Sequence, residues 1–192
     1  MDALILHLPP TLRLSHEQYE QLAVANPNLR IEMTASGEII AMPPTGGTSG
    51  QRNADLTFQL QLWSRQNPIG VVFDSSTEFK LPNGAYRSPD ASWISRDRWN
   101  ALTPEEQETF PPICPDLVVA LRSKTDRLKT LQEKMLEYQE NGCRLGWLIN
   151  PQDREVEVYR VGQEKEVLRE VRSVSGEDVL PGFELDLQVI FG

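Results

Sequence analysis

Two short stretches carry the side chains with the most chemical potential. Pro89-Asp90 opens the apolar segment Ala91-Ser92-Trp93-Ile94, and Pro115-Asp116 opens a second one, Leu117-Val118-Val119-Ala120-Leu121, which ends in Arg122. If the two segments pair as strands, Asp90 and Ala120 can face one cleft. Side chains two apart on a strand share a face, so Val118, Ala120 and Arg122 point one way and Val119 and Leu121 the other. A carboxylate at Asp90 is a hard oxygen donor of the kind that Mg2+ prefers. Ala120 brings no oxygen to the same place. Arg122 can stabilise negative charge but cannot readily release a proton to act as a base.

Lys134 is the other residue with chemical promise. It lies three residues after Leu131 and four before Tyr138, so on a helix it borders the inward face. From there it can reach a cleft, or snorkel with its stem over apolar surface. Glu32, Glu38 and Glu78 are acids on strand-like segments. The protein surface is the usual place for such residues, and Glu78 is the one expected to substitute as a metal ligand. Ser123-Lys124-Thr125-Asp126 reads as a strand-to-helix connection with capping chemistry, in which Ser123 and Lys124 could meet a phosphate. His7 and His16 lack paired-ligand spacing. The tryptophans Trp63, Trp93, Trp99 and Trp147 read as core residues.

These residues need a scaffold, and the periodicities supply one. Ser15 caps a helix with Gln18 as its capping-box partner, and Asn26-Pro27-Asn28 ends it. Residues 29–33 and 38–42 form a hairpin around Ala35-Ser36-Gly37. From about residue 49 to residue 66, Leu56, Leu60 and Trp63 recur at helical spacing. Strands follow at 71–73, 77–81 and 91–94. The polar stretch 97–112 reads as a surface excursion, with a helix start at Thr103-Pro104. Leu117-Val118-Val119-Ala120-Leu121 is a continuous apolar run, the pattern of a strand buried on both faces and hence of the sheet centre. Thr125-Asp126 caps a helix through Leu128, Leu131, Met135 and Tyr138, which Asn141-Gly142 closes. A strand at 147–150, a hairpin containing Val156, Val158 and Val161, and an extended stretch 181–187 complete the chain.

Composition sets the outer bounds. The chain has 192 residues, 39% hydrophobic and 24% charged, which fits one α/β domain over residues 1–192 with a single sizeable core. No apolar run reaches spanning length, and Met1-Asp2-Ala3-Leu4 lacks a basic leader; the expectation is a cytoplasmic protein with no membrane partner. Cys114 and Cys143 have no CxxC spacing and read as reduced, buried residues. The net charge of −9 opposes non-specific nucleic-acid binding. A basic groove can still be assembled from Arg52, Arg65, Lys80, Arg87 and Lys124.

The order of these pieces resembles the PD-D/E-x-K nuclease superfamily, and within it the restriction-endonuclease family abundant in cyanobacteria. The resemblance rests on Gly37-Glu38-Ile39-Ile40-Ala41-Met42-Pro43-Pro44, Ser88-Pro89-Asp90, Pro115-Asp116-Leu117-Val118-Val119, Ser123-Lys124-Thr125-Asp126, Lys134 to Tyr138 and Gly142 to Pro151. It runs over roughly residues 10 to 190. It implies a restriction-endonuclease-like α/β fold: a mixed central sheet flanked by helices, with N-terminal and C-terminal β-hairpins. It also implies that Asp90 and a glutamate at the position of Ala120 would hold Mg2+, or Mn2+, to generate hydroxide and stabilise charge on a phosphate. Ala120-Leu121-Arg122 occupies the acid-x-lysine frame of that motif, with Lys134 as a migrated lysine. A Pro-Asp pair alone is ordinarily a turn or strand start; the ordered context favours a site. The expected activity is metal-dependent hydrolysis of DNA phosphodiesters by a homodimer, with Ala120 leaving the metal site one oxygen short. The alternative is a catalytically inactive nuclease-fold module for binding or dimerisation. A small-molecule hydrolase lacks a supporting nucleophile motif such as GxSxG.

Overall fold

The computed structural model of the chain describes residues 11–42 and 44–192. His7 and Pro43 lie outside them. In chain order the elements are α1 (His16–Ala25), β1 (Ile31–Met33), β2 (Ile39–Ala41), α2 (Gly47–Gln66), β3 (Gly70–Asp74), β4 (Phe79–Lys80), β5 (Tyr86–Arg87), β6 (Ala91–Ser95), α3 (Arg96–Asn100) and α4 (Pro104–Glu108). They continue with β7 (Leu117–Leu121), α5 (Leu128–Glu140), β8 (Leu145–Asn150), β9 (Glu155–Arg160), β10 (Glu166–Arg169), β11 (Ser173–Ser175), β12 (Glu184–Asp186) and α6 (Gln188–Phe191).

The central sheet has the order β10-β9-β8-β7-β6-β3. It is mixed: β7 and β8 run parallel, joined through α5, and every other neighbouring pair is antiparallel. All five residues of β7 are buried, because helices or loops cover both faces of the sheet, and that is why the strand has no polar alternation. Its side chains nevertheless divide by face. Leu117, Val119 and Leu121 join the core formed with Leu56, Leu60 and Trp63 of α2 and with the C-terminal segment. Val118 and Ala120 join the opposite core, with Ile94, Met135 and Tyr138. The close approach of α5 to the sheet needs glycine at 146, where a Cβ would come within 2.6 Å of Met135 Cε.

A second sheet, β2-β1-β5-β4, is antiparallel and packs Ile31, Met33 and Tyr86 against Tyr19 of α1. The capping box on α1 forms as the sequence predicts, with Ser15 Oγ accepting from Gln18 N and Gln18 Oε1 accepting from Ser15 N. β11 and β12 form a separate C-terminal hairpin.

Four local expectations change. The strand expected over 77–81 shrinks to β4, and β5 pairs with both β4 and β1. The stretch after β6 enters α3 at once. Asp126 does not cap α5: its Oδ2 accepts from Ser123 N at 2.8 Å, which tightens the preceding loop, and α5 begins at Leu128 behind Arg127 with no side-chain cap. After β12 the chain turns into α6, whose Ile190 and Phe191 are buried, rather than ending in extended form.

Candidate active site

Asp90 lies immediately before the Ala91↔Val119 pair of β6 and β7. Its N–H donates to Val119 O at 2.9 Å, and its Oδ2 accepts from Leu121 N at 2.7 Å. The carboxylate therefore lies beside the Ala120–Leu121 peptide. Asn53 of α2 donates its Nδ2 to Asp90 Oδ1 at 3.1 Å. Burial pushes the Asp90 carboxyl up from its ordinary value, against the Leu121 hydrogen bond, the Lys134 charge and the Asn53 hydrogen bond, which all pull it down. The second Pro-Asp pair has a different task. Asp116 is 1% exposed and clamps the end of β6, accepting from Ser95 N at 2.8 Å and pairing with Arg98 at 2.8 Å.

Lys134 is held rather than free. Its Nζ donates to Glu32 Oε1 at 2.6 Å and to Ser88 O at 3.0 Å. Glu32 is 3% exposed, which corrects its placement at the surface. It is the hub of a buried cluster, accepting also from Ser88 N at 2.8 Å and from Arg87 Nη1 at 3.2 Å. Arg87 in turn reaches Glu137 of α5 through Nε at 2.6 Å. Burial by itself would raise the Glu32 carboxyl, but the Lys134 and Arg87 charges outweigh it and hold the group below its usual value. The cluster joins three elements: β1 brings Glu32, β5 brings Arg87, and α5 brings Lys134 and Glu137. Ser88 leads directly to Pro89-Asp90, so the same cluster fixes where Asp90 starts its strand.

Glu78 stands next to this cluster on the loop entering β4. Its Oε1 is 2.7 Å from Tyr19 Oη, and the same hydroxyl lies 3.0 Å from Ile31 O. A tyrosine hydroxyl has one proton, and a carbonyl can only accept it. That single proton is shared between the Ile31 carbonyl and the Glu78 carboxyl, with the shorter contact to Glu78, and donation to Glu78 favours its ionised form. Burial outweighs that bond and pushes the Glu78 carboxyl up to about 7, with the Glu32 charge adding to the rise and the Lys134 and Arg87 charges opposing it.

Arg122 follows β7, and its guanidinium serves the β8–β9 turn. Its Nη1 donates to Asn150 Oδ1 and Asp153 Oδ2, each at 3.3 Å, and Nε to Asp126 O at 3.4 Å. The sequence places it on the face of Ala120, but these partners draw it toward the β8–β9 turn. Glu38 is exposed and pairs with Arg13. Both cysteines are buried and reduced. Trp63, Trp93 and Trp147 are core residues, while Trp99 packs at the edge of the second core.

A metal ion at this place would find few oxygens. Asp90 provides a carboxylate, and Asn53 Oδ1 is buried without a hydrogen-bond partner. Among the described residues, no group of three or more histidines, cysteines, aspartates and glutamates could hold a metal. Magnesium requires a near-octahedral oxygen shell and is ordinarily anchored by one or two carboxylates with help from a substrate phosphate. The described residues fall short of a preformed metal centre. Two contributors carried little signal in the sequence. Asn53 sits on a helix face that reads as solvated, and Glu32 becomes a hub only when β5 and α5 meet β1.

Comparison with known proteins places this geometry in context. Residues 16–188 match the family model Uma2, described as "Putative restriction endonuclease". Among solved structures, the chain resembles the crystal structure of a putative nuclease belonging to DUF820 from Anabaena variabilis. The TM-score is 0.78 at 21% identity, over 93% of this chain and 97% of that one. At that identity the likeness bears on the fold. No curated protein matches the chain in sequence.

Proposed function

This chain belongs to the Uma2 family of restriction-endonuclease type, and we propose that it is built to hydrolyse DNA phosphodiesters at a divalent-metal site around Asp90, with catalysis held low by Ala120. Families of this type use divalent metals; Mg2+ is the first candidate and Mn2+ the second. The single observation that carries the reading is the placement of Asp90 against the Ala120–Leu121 peptide, with Lys134 arriving from α5 through the Ser88 carbonyl. Lys134 is the group positioned to stabilise negative charge on a phosphate. Glu78 stands as a reserve oxygen ligand only when it loses its proton and its bond to Tyr19.

A second reading has its own observation. The pairing of Lys134 with Glu32 at 2.6 Å satisfies that cation without substrate, and the oxygen set is incomplete. Both favour a silent nuclease-fold module that binds DNA or a second copy of the chain. Ala120→Glu and Ala120→Asp separate the two readings. Ala120 is buried in tight surroundings, so circular dichroism must first show that each variant folds. Mg2+-dependent cleavage of plasmid and single-stranded DNA by either folded variant, at least 100-fold above the parent, supports the nuclease reading. Two folded variants that remain as inert as the parent overturn it and favour the silent module. Asp90→Asn in the restored background is expected to abolish the gain.

A further inference from the structure

Asn53, the hydrogen-bond partner of Asp90, also lines a groove that the candidate chemistry leaves unused. Its volume is about 590 Å3, and one wall is a stripe of α2 that includes Asn53, Phe58, Leu62 and Arg65. Arg30, Asp74 and Ser75 line the opposite side. Residues 53 and 65 of a helix stand about 18 Å apart at 1.5 Å per residue. Both walls converge on the start of β6: Asn53 donates to Asp90, and Asp74 pairs in register with Ala91.

The lining has two unusual properties. Phe58 is 63% exposed and Leu62 is 48% exposed, an aromatic face and an aliphatic neighbour left open in one concavity. The charge balance of the groove also departs from that of the chain. Arg30 and Arg65 face one acid, Asp74, in a protein whose net charge is −9. Asp74 is engaged in its own turn, its Oδ1 accepting from Ser76 N at 2.9 Å and from Ser76 Oγ at 2.6 Å. Arg30 donates to Ser75 O, which fixes the cation on the wall facing α2.

We propose that this groove takes one strand of nucleic acid, with Phe58 stacking on a base, Arg65 and Arg30 meeting phosphates, and the strand leading to Asp90. An exposed aromatic beside cations is the arrangement that binds single strands without reading sequence, because every base has a stackable face. Pockets of this volume hold drug-sized ligands, room for a nucleotide or two of a single strand at a time. The direction of the strand rests on the nuclease reading of Asp90; occupation of the groove does not.

The test is fluorescence anisotropy at low salt with labelled oligothymidylate, against the same strand annealed to oligoadenylate, without metal. The expected result is tighter binding of the single strand, weakened about tenfold by Phe58→Ala. Arg65→Gln is expected to reduce the salt slope by about 0.7. Equal affinity for the duplex, or binding indifferent to both substitutions, overturns the proposal. So does a dimer by sedimentation that Phe58→Asp dissociates, since the face then belongs to a second copy. Ala120→Glu separates this failure from failure of the nuclease reading. A variant that cuts DNA without Phe58-dependent strand binding sinks the groove alone. One that binds through Phe58 but does not cut sustains the groove and sinks the nuclease reading.

Discussion

Lys134 Nζ and Glu32 Oε1 lie 2.6 Å apart across the junction of α5 and β1, 102 residues apart in the chain. This contact ties the small sheet to the central one and fixes a lysine that bonds Ser88 O, two residues before Asp90, and whose charge acts on Asp90. Its burial makes the pair asymmetric. Glu32 compensates two cations, whereas Lys134 compensates one anion that Arg87 and Ser88 N also satisfy.

Glu32→Ala is therefore expected to destabilise the fold by about 3–5 kcal/mol, because it leaves buried cations without their counter-charge. Lys134→Met should cost clearly less. Urea unfolding of both single variants and the double variant measures the difference. Equal losses would show that Arg87 relies on Glu137 alone.

Glu78 gives a pH signature. Its carboxyl is raised from 4.5 to about 7 in the folded chain, so the folded state binds the proton more tightly than the unfolded one. The stabilisation is fully present below about pH 4.5 and is lost as pH rises through about 7. Glu78→Gln retains an acceptor oxygen for the Tyr19 hydroxyl and cannot ionise. It should match the parent at pH 4.5 and exceed it by on the order of 1–3 kcal/mol at pH 8. Thermal melts across that range read the outcome, and a constant difference at every pH would contradict a protonated Glu78.

Asp90→Asn should raise the melting temperature at pH 8, because burial raises the Asp90 carboxyl and ionised Asp90 opposes folding there. In the Ala120→Glu background the same substitution should remove any rise in melting temperature caused by Mg2+. A stabilisation by Mg2+ that survives Asp90→Asn would place the ion elsewhere.

Arg122→Gln tests the division of labour between the two cations of the acid-x-lysine frame. Its partners are on the β8–β9 turn, and the expected cost is about 1 kcal/mol. In the restored Ala120→Glu background, cleavage should fall less than tenfold with Arg122→Gln and more than 100-fold with Lys134→Met. The reverse ranking would return Arg122 to the phosphate.

The cores and the main elements were legible in the chain because they rest on short-range patterns. The apolar run 117–121 gave a doubly buried strand, the i, i+4 recurrence of Leu56 and Leu60 gave α2, and Asn141-Gly142 gave the end of α5. Errors gathered where a side chain had to choose between local and distant partners. Asp126 reads as a helix cap but serves the Ser123 loop. β5 has two residues, too few to show a period, and exists because β1 and β4 offer it hydrogen bonds. No helix among the described residues is long and apolar enough to cross a membrane, in line with the absence of a spanning apolar run.

For the candidate site, the sequence by itself determined that Asp90 precedes one apolar strand and that Ala120 lies near the end of another, since strand alternation and the Pro-Asp starts depend on local geometry alone; that the two strands adjoin, Ala91 opposite Val119, was decided by the tertiary structure. It also determined that position 120 contributes no side-chain oxygen, because residue identity needs no structure. Only the tertiary structure decided what surrounds that position. Hydrogen bonds and ion pairs between residues 37 to 102 positions apart are invisible to periodicity, so Glu32 looked like a surface acid, Glu78 like a substitute metal ligand, and Asn53 gave no signal. The fold buries Glu32 beneath Lys134, raises the Glu78 carboxyl by burial against the pull of the Tyr19 hydroxyl, and sets Asn53 between the Asp90 carboxylate and the groove. Local chemistry named the parts, and long-range packing assigned their charges and partners.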